Sequence, residues 1–153
     1  SMKVENKQVY YSVDQIERLV DMSTTLGLDD EPTRSSLITS MDTLLSDTSL
    51  LNEADTAWCK SALGQLHYYA RGTTCDIANN VSIVSQYYVA PTIGAKLALK
   101  YLACYLNGTL EDKITVMRSD SPDVFTFYTD SHHYTKGRSQ TGFTIRLNCA
   151  PLH

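Results

Sequence analysis

Apolar residues along this chain change their period twice. Gln8-Val9-Tyr10-Tyr11-Ser12-Val13 is rich in β-branched and aromatic residues and reads as a short β-segment. From residue 14 the spacing is helical: Ile16, Leu19, Val20 and then Met22 or Ser23 recur on one side, with Asp14 as N-cap and Gly27 as the stop. Asp29-Asp30-Glu31-Pro32 breaks the pattern and reads as solvated surface, with a partner site as the minority reading. Residues 33–52 are Ser/Thr-rich with scattered Leu, Ile and Met and no clear period. They predict an extended or irregular connector with one helical turn around residues 40–45.

Residues 53–70 return to helical spacing, with Ala54, Ala57, Trp58, Ala62, Leu63, Leu66 and Tyr69 close to one face. Trp58 and Tyr69 read as core anchors rather than ligand contacts. Gly72-Thr73-Thr74 interrupts the chain, and a further helix is predicted over residues 75–88. Pro91 closes it and opens another over residues 92–106, which Asn107-Gly108 terminates. That last helix has Ile93, Leu97, Tyr101 and Tyr105 on one stripe, with Leu99, Leu102 and Leu106 beside it, so it is expected to pack on two sides. After Glu111 the period becomes two. A short strand is expected at residues 114–117, a turn at Asp120-Ser121-Pro122-Asp123, and two longer antiparallel strands at 124–130 and 141–149. The expected fold class is α+β: a helical part of three to four helices over residues 3–110, then a small antiparallel sheet over residues 111–153, in one compact unit.

A chain of 153 residues with 42% hydrophobic content can build one domain with a sizeable core. Ser1-Met2 reads as a cloning scar. No apolar run approaches the roughly 20 residues needed to span a bilayer, and no signal-peptide pattern opens the chain. The expectation is no membrane association and an intracellular location, cytoplasmic or nuclear. Cys59, Cys75, Cys104 and Cys149 are widely spaced with no C-x-x-C pair, which reads as reduced thiols rather than disulfides or metal ligands. The sequons Asn80-Val81-Ser82 and Asn107-Gly108-Thr109 read as chance matches. Charge is uneven. Residues 1–60 carry eleven acidic and five basic side chains, a net of −6, and residues 61–153 carry six and eight, a net of +2. An acidic N-terminal half repels a duplex, so nucleic-acid binding is expected to be weak or absent, with a local basic stripe left open on the C-terminal half.

Specific landmarks recur from Trp58 onward. They are Lys60-Ser61-Ala62-Leu63-Gly64, Leu66-His67-Tyr68-Tyr69-Ala70, Asp76-Ile77-Ala78, Val81-Ser82-Ile83-Val84-Ser85, Ala98-Leu99-Lys100, Tyr105-Leu106-Asn107-Gly108-Thr109, Tyr128-Thr129-Asp130 and Ser139-Gln140-Thr141-Gly142. In this order and spacing the segment resembles the polyprotein of copia-type LTR retrotransposons, where reverse transcriptase gives way to RNase H. Upstream, Gln15-Ile16-Glu17-Arg18-Leu19, Leu26-Gly27-Leu28 and Thr39-Ser40-Met41 fall where that family reads Q-x-x-Y-I, F-G-M and T-P-M. Arg18 replaces the usual aromatic and Ser40 the usual proline. The resemblance implies a thumb and connection region followed by the first strands of an RNase H-like fold.

The catalytic groups of both enzymes are missing. Nucleotidyl transfer needs paired metal-binding aspartates in a Y-x-D-D type motif. Here the only Asp-Asp pair is Asp29-Asp30, in a polar loop after a helix end. RNase H chemistry needs about four carboxylates that hold two Mg²⁺ ions against the scissile phosphate. Asp130, within Phe127-Tyr128-Thr129-Asp130, matches the first acid of the family's D-A-D-W signature, but the next positions are Ser131, His132 and His133. One carboxylate cannot hold a two-metal centre, so Asp130 reads as a relic. A zinc site of Asp130 with His132 and His133 is disfavoured, because adjacent strand residues point to opposite faces. The expectation is no catalytic residue, no metal, no cofactor and no enzymatic activity.

Where the family reads A-L-K-R-I-L-R-Y-L-K-G-T, this chain has Ala98-Leu99-Lys100-Tyr101-Leu102-Ala103-Cys104-Tyr105-Leu106-Asn107-Gly108-Thr109. The usually basic positions fall on Tyr101, Cys104 and Asn107, and only Lys100 remains. The family's T-R-P-D-I becomes Thr73-Thr74-Cys75-Asp76-Ile77, which loses another arginine. Loss of about four cations removes much of the salt-dependent affinity for a phosphate backbone. Ten tyrosines, some in pairs such as Tyr10-Tyr11, Tyr68-Tyr69 and Tyr87-Tyr88, suit core packing or protein contacts better than base stacking without a basic frame. The expected interaction surface comprises Tyr101, Cys104, Tyr105, Tyr87, Tyr88, Phe127 and Phe143. Three functions compete. The favoured one is a co-opted, non-catalytic interaction or assembly module that binds a protein partner or its own copy as a homodimer. The alternative is a nucleic-acid-gripping thumb and connection segment of an active polyprotein. A nuclease built around Asp130 is the least favoured. The two long strands leave an open edge, with Phe125, Phe127, Phe143, Ile145 and Leu147 partly exposed unless helices or another chain cover them.

Overall fold

Among the described residues, four helices lie in one stretch of chain, and strands flank them at both ends. The computed structural model describes residues 2–5, 8–13, 15–38, 40–111, 114–117, 124–132, 140–147 and 150–152. Among these, β1 (Met2–Glu5) and β2 (Gln8–Val13) precede α1 (Ile16–Leu26), α2 (Glu53–Ala70), α3 (Ala78–Ser85) and α4 (Ile93–Gly108). They are followed by β3 (Ile114–Met117), β4 (Phe125–His132), β5 (Gln140–Leu147) and β6 (Ala150–Leu152). The class is α+β. Residues 15–112 form one unit, and residues 1–14 with 113–153 form the other. The expected split at residue 110 differs at the N-terminal end, and backbone hydrogen bonding explains why. Gln8–Val13 finds its partners in Ile114–Met117, so the first strands join the β unit instead of the helical part.

In the helical unit, α1 stops at Gly27, which sits at φ 65°, a left-handed conformation that glycine adopts without a Cβ penalty. Its N-cap is Gln15, whose side chain makes no capping bond; Asp14, the expected cap, lies outside the described residues. Asn52 caps α2 by accepting the Asp55 N–H at 2.8 Å, with Glu53 and Asp55 in the first turn complementing the helix dipole. Helix α2 buries Cys59, Ala62, Leu63, Leu66, Tyr69 and Ala70. Ala54 and Ala57 were expected on this face but are exposed. Asp55 faces α4, where it pairs with Lys96 at 2.6 Å, and that rotation turns both alanines outward. The anchors are Trp58, whose Nε1 donates to the Leu26 carbonyl at 3.0 Å, and Tyr69, whose hydroxyl donates to the Arg18 carbonyl at 2.6 Å. The predicted helix over 75–88 is shorter: a 3-10 turn at Cys75–Ile77 leads into α3, which ends at Ser85.

Helix α4 is the centre of the unit. Thr92 caps it by accepting the Ala95 N–H at 3.2 Å, and it buries Gly94, Ala95, Ala98, Leu99 and every residue from Tyr101 to Leu106. It runs through Gly108 rather than stopping at Asn107. Helices α1, α2 and α3 all pack against it.

The remaining side is covered by residues 28–38 and 40–52, which run antiparallel along α4 as a strap. At one end the Arg34 N–H donates to the Cys104 carbonyl at 3.1 Å, and the Arg34 backbone lies where a Cβ on Gly108 would stand. At the other end, a 3-10 turn at Leu44–Ser46 crosses Gly94, where a Cβ would come within 2.7 Å of the Leu44 carbonyl oxygen and 2.8 Å of that of Asp47. The Gly94 N–H donates to the Asp47 carbonyl at 3.0 Å and the Ile93 N–H to the Ser49 carbonyl at 2.9 Å. Met41 and Leu45 enter the core from the strap. The helical turn expected around residues 40–45 is therefore present, as a 3-10 turn at the end of that span that runs one residue beyond it. Ile93 and Leu97, expected on the buried stripe, are exposed beside it.

The β unit holds two three-stranded antiparallel sheets, ordered β1-β2-β3 and β4-β5-β6. Strand β1 was not foreseen. The β4–β5 register runs from Phe125 opposite Leu147 to His132 opposite Gln140, and β6 pairs with the last residues of β5. The predicted turn at Asp120-Ser121-Pro122-Asp123 lies outside the described residues. No helix among the described residues is long and apolar enough to cross a membrane.

Candidate functional site

Strand periodicity sorts the β4–β5 hairpin into two unlike faces. The register places Phe125, Phe127 and Thr129 on one face with Phe143 and Ile145 opposite them. Thr126, Tyr128 and Asp130, with Thr144 and Arg146, share the other. On that second face the Arg146 guanidinium lies 5.4 Å from the centre of the Tyr128 ring. On the first, Phe125, Phe127 and Phe143 are 56%, 66% and 75% exposed. These are all three phenylalanines of the chain. Among the described residues β4 pairs only with β5, so this eight-residue strand is a sheet edge. An edge strand beside an exposed aromatic face is a template for another chain. Phe127 and Phe143 were expected in the interaction surface, and Phe125 extends it; the signal for Phe125 was the alternation of Phe125, Phe127 and Thr129 with polar residues.

The helical members of the expected surface fare differently. Tyr101, Cys104 and Tyr105 are buried. The strap accounts for the first two: the Tyr101 hydroxyl donates to the Ser36 carbonyl at 2.7 Å, the Arg34 guanidinium stacks 4.8 Å over its ring, and Cys104 lies beneath Arg34. Tyr105 donates to the Asp76 carboxylate. Burial pushes the Cys104 thiol pKa up, with Glu31 adding to the effect, so this side chain belongs to the interior. Tyr87 is half-buried, and Tyr88 is exposed with Lys60 5.5 Å over its ring. The signal missed in the sequence was the glycine at each end of α4. Gly94 and Gly108 allow a second backbone to approach, which marks a covered helix rather than an open one.

Electrostatics leave little for phosphate recognition on α4. Lys100 pairs with Glu31 at 2.6 Å and Lys96 with Asp55 at 2.6 Å. Asp130 is exposed on the polar face of β4, and among the described residues no three His, Cys, Asp or Glu side chains are grouped to hold a metal. His133 and the side chain of His132 lie outside the described residues. Asp29 and Asp30 occupy the exposed turn after α1, where Asp29 accepts the Thr24 hydroxyl at 2.9 Å. Cys59, Cys75 and Cys104 are free thiols, and burial raises the Cys59 pKa to about 11. Cys149 lies outside the described residues. Neither sequon presents a free surface asparagine: Asn80 is buried, and Asn107 is half-buried with its amide donating to Ser23. Comparison of the chain with protein-family models, with curated proteins and with solved structures gave no match.

Proposed function

We propose that this chain is a non-catalytic interaction and assembly module of retrotransposon ancestry, which self-associates through the β4–β5 hairpin. The observation that carries the reading is the exposed face of Phe125, Phe127 and Phe143 beside the open β4 edge. A half-exposed Phe costs about 1 kcal/mol relative to a buried one, so covering three of them supplies a substantial driving force. A second copy meets both needs at once, since a two-fold axis pairs like with like. On the same reading, the β4-β5-β6 meander corresponds to the opening strands of an RNase H-like sheet, with Asp130 as its solitary first acid. The partner is a protein, nucleic acid binds weakly or not at all, and the location is intracellular. The gripping alternative requires free cations on α4, and its two lysines are paired with carboxylates.

Sedimentation equilibrium tests the proposal. The wild-type chain is expected to be heavier than its 17.1 kDa monomer at micromolar concentration. A Phe127→Thr/Phe143→Thr double variant keeps β-propensity on the strand face and is expected to sediment as the monomer with an unchanged circular dichroism spectrum. A wild type that stays monomeric at all concentrations overturns the proposal. A rise in thermal stability on adding Mg²⁺ that is lost in Asp130→Asn contradicts the non-catalytic part.

A further inference from the structure

A cleft of about 420 Å³ opens on the helical unit, lined by Gln15, Gly64, His67, Tyr68, Arg71 and Gly72. That volume lies within the usual range of small-ligand pockets, about 300–1,000 Å³. Gly64, His67 or Tyr68, and Arg71 are spaced three or four residues apart, so α2 presents them along one side. The two glycines have different roles. A Cβ on Gly64 would meet nothing within 4 Å, so packing does not require glycine there; its missing side chain leaves the cleft floor empty. A mid-helix glycine costs about 1 kcal/mol relative to alanine, and no contact in the core offsets it. Gly72 instead seats the Gln15 amide, whose Oε1 would lie 3.0 Å from a Cβ at that position.

Gln15 and Tyr68 are held in place, and the lining is rich in donors. The Gln15 Oε1 accepts the Thr73 hydroxyl at 2.8 Å, which leaves the Gln15 Nε2 hydrogens as its outward donors. Tyr68 is held by Arg18, whose Nη1 donates to its hydroxyl at 2.5 Å and whose guanidinium lies 5.4 Å from its ring centre. Tyr69 supports it edge-on at 5.4 Å between ring centres. Among the described residues the lining contains no carboxylate, although residues 1–60 carry a net charge of −6. Among the described residues Arg71 makes no ion pair. His67 is half-buried, and burial together with the neighbouring Arg71 depresses its pKa. An anion between the two would relieve the repulsion and return the proton to the imidazole.

We propose that this cleft binds a phosphate monoester, seated between Arg71 and His67 with the Tyr68 hydroxyl and the Gln15 amide as further donors. Donors from two helices converge on a tetrahedral group from several directions, whereas a planar carboxylate fits a single guanidinium fork. The space above Gly64 takes the organic part of the ligand. The monoester belongs either to a small molecule or to a phosphorylated side chain of a protein.

The test follows the His67 ring resonances by NMR in chloride buffer while phenyl phosphate, inorganic phosphate, a phosphoserine peptide or a single-stranded oligonucleotide is added. Phenyl phosphate is expected to give a saturable shift and to raise the His67 titration midpoint. A tighter response to the peptide than to phenyl phosphate assigns the ligand to a protein side chain, and the reverse assigns it to a small molecule. Arg71→Gln should weaken binding about tenfold or more through loss of a charge-assisted contact. Gly64→Leu should abolish it by filling the floor while leaving the helical unit folded. The Phe127→Thr/Phe143→Thr variant should bind as the wild type does, which separates this site from the self-association surface. No saturable shift with any monoester overturns the proposal, as does equal binding by Arg71→Gln and Gly64→Leu. Preference for the oligonucleotide's diesters would also overturn it, and would point to nucleic acid.

Discussion

The same substitution at two helical glycines should change stability in opposite directions. Gly64 sits mid-helix in α2 with open space where a Cβ would go, so Gly64→Ala is expected to stabilise the helical unit by about 1 kcal/mol. Gly94 lies under the strap. There a Cβ would stand 2.7 Å from the Leu44 carbonyl oxygen, 2.8 Å from that of Asp47 and 2.9 Å from the Leu45 Cα. All three are backbone atoms, and ordinary contacts to carbon lie at about 3.5–4.0 Å, so the strap must retreat by roughly 1 Å. Overpacking of this kind costs about 1–3 kcal/mol. Retreat also weakens the two hydrogen bonds from Ile93 and Gly94 and partly exposes Leu45, which is 8% exposed in the native fold. With those losses added and a small first-turn helix gain subtracted, Gly94→Ala should destabilise by about 2–4 kcal/mol.

Urea unfolding followed by circular dichroism at the helical band measures this directly, since all four helices lie in residues 15–112. A double-mutant cycle sharpens it: Leu45→Ala should cost less in the Gly94→Ala background than in the wild type, because Leu45 is already displaced there. If Gly94→Ala stabilises as Gly64→Ala does, or if Leu45→Ala costs the same in both backgrounds, the strap does not lie on α4 as described.

Two further outcomes follow from burial. In a Cys149→Ser variant, Cys75 should react with a thiol reagent at pH 8 within minutes, while Cys59 and Cys104 should react only on unfolding; three fast thiols would contradict the packing of α2 and α4. His67 has a folded pKa lowered first by burial and then by Arg71, so the unfolded chain takes up that proton first as pH falls below 6.5. This contribution to stability is intact above pH 6.5 and lost as pH falls toward the folded value, and His67→Gln should flatten the acid side of the stability profile in chloride buffer. An unchanged profile would show that His67 titrates alike in both states.

Local signals were strong wherever period and punctuation agreed. Glu53–Ala70 carries a good N-cap at Asn52 and an apolar stripe, and its bounds coincide with those read from the sequence. Ile114–Met117 does likewise as a strand. The strap reads as a connector in the sequence because its apolar residues have no period. Leu37, Met41, Leu44 and Leu45 contact α4 and the core from an irregular backbone, and irregular backbone leaves no repeat to detect. The sheet partner of Gln8–Val13 was likewise invisible, since pairing across about 100 residues is a tertiary choice that local pattern does not encode. The hairpin face could be read because a two-residue period carries over directly to one face. The cleft at Gly64 could not, because its defining feature is an absent side chain next to a helix that is distant in sequence.

On α4, the residues that stand where the proposed ancestry would have cations are used inside the helical unit. Tyr101 gives the strap a ring for Arg34 to stack on and a hydroxyl for the Ser36 carbonyl. An arginine there would place two like charges face to face under the strap, which a low-dielectric position penalises. Cys104 is small enough to sit beneath the Arg34 backbone, where an arginine would have to bury its guanidinium. Asn107 reaches sideways to Ser23 on α1. Lys100, the cation that remains, is tied to Glu31 at the strap's start. Tyr101 and Cys104 thus face the strap, and Asn107 faces α1. A helix face closed by its own chain cannot grip a template. On this reasoning the surface left for a partner is the phenylalanine face of the β4–β5 hairpin, and under the proposed ancestry the loss of the cations and the burial of Tyr101 and Cys104 would be one change rather than two.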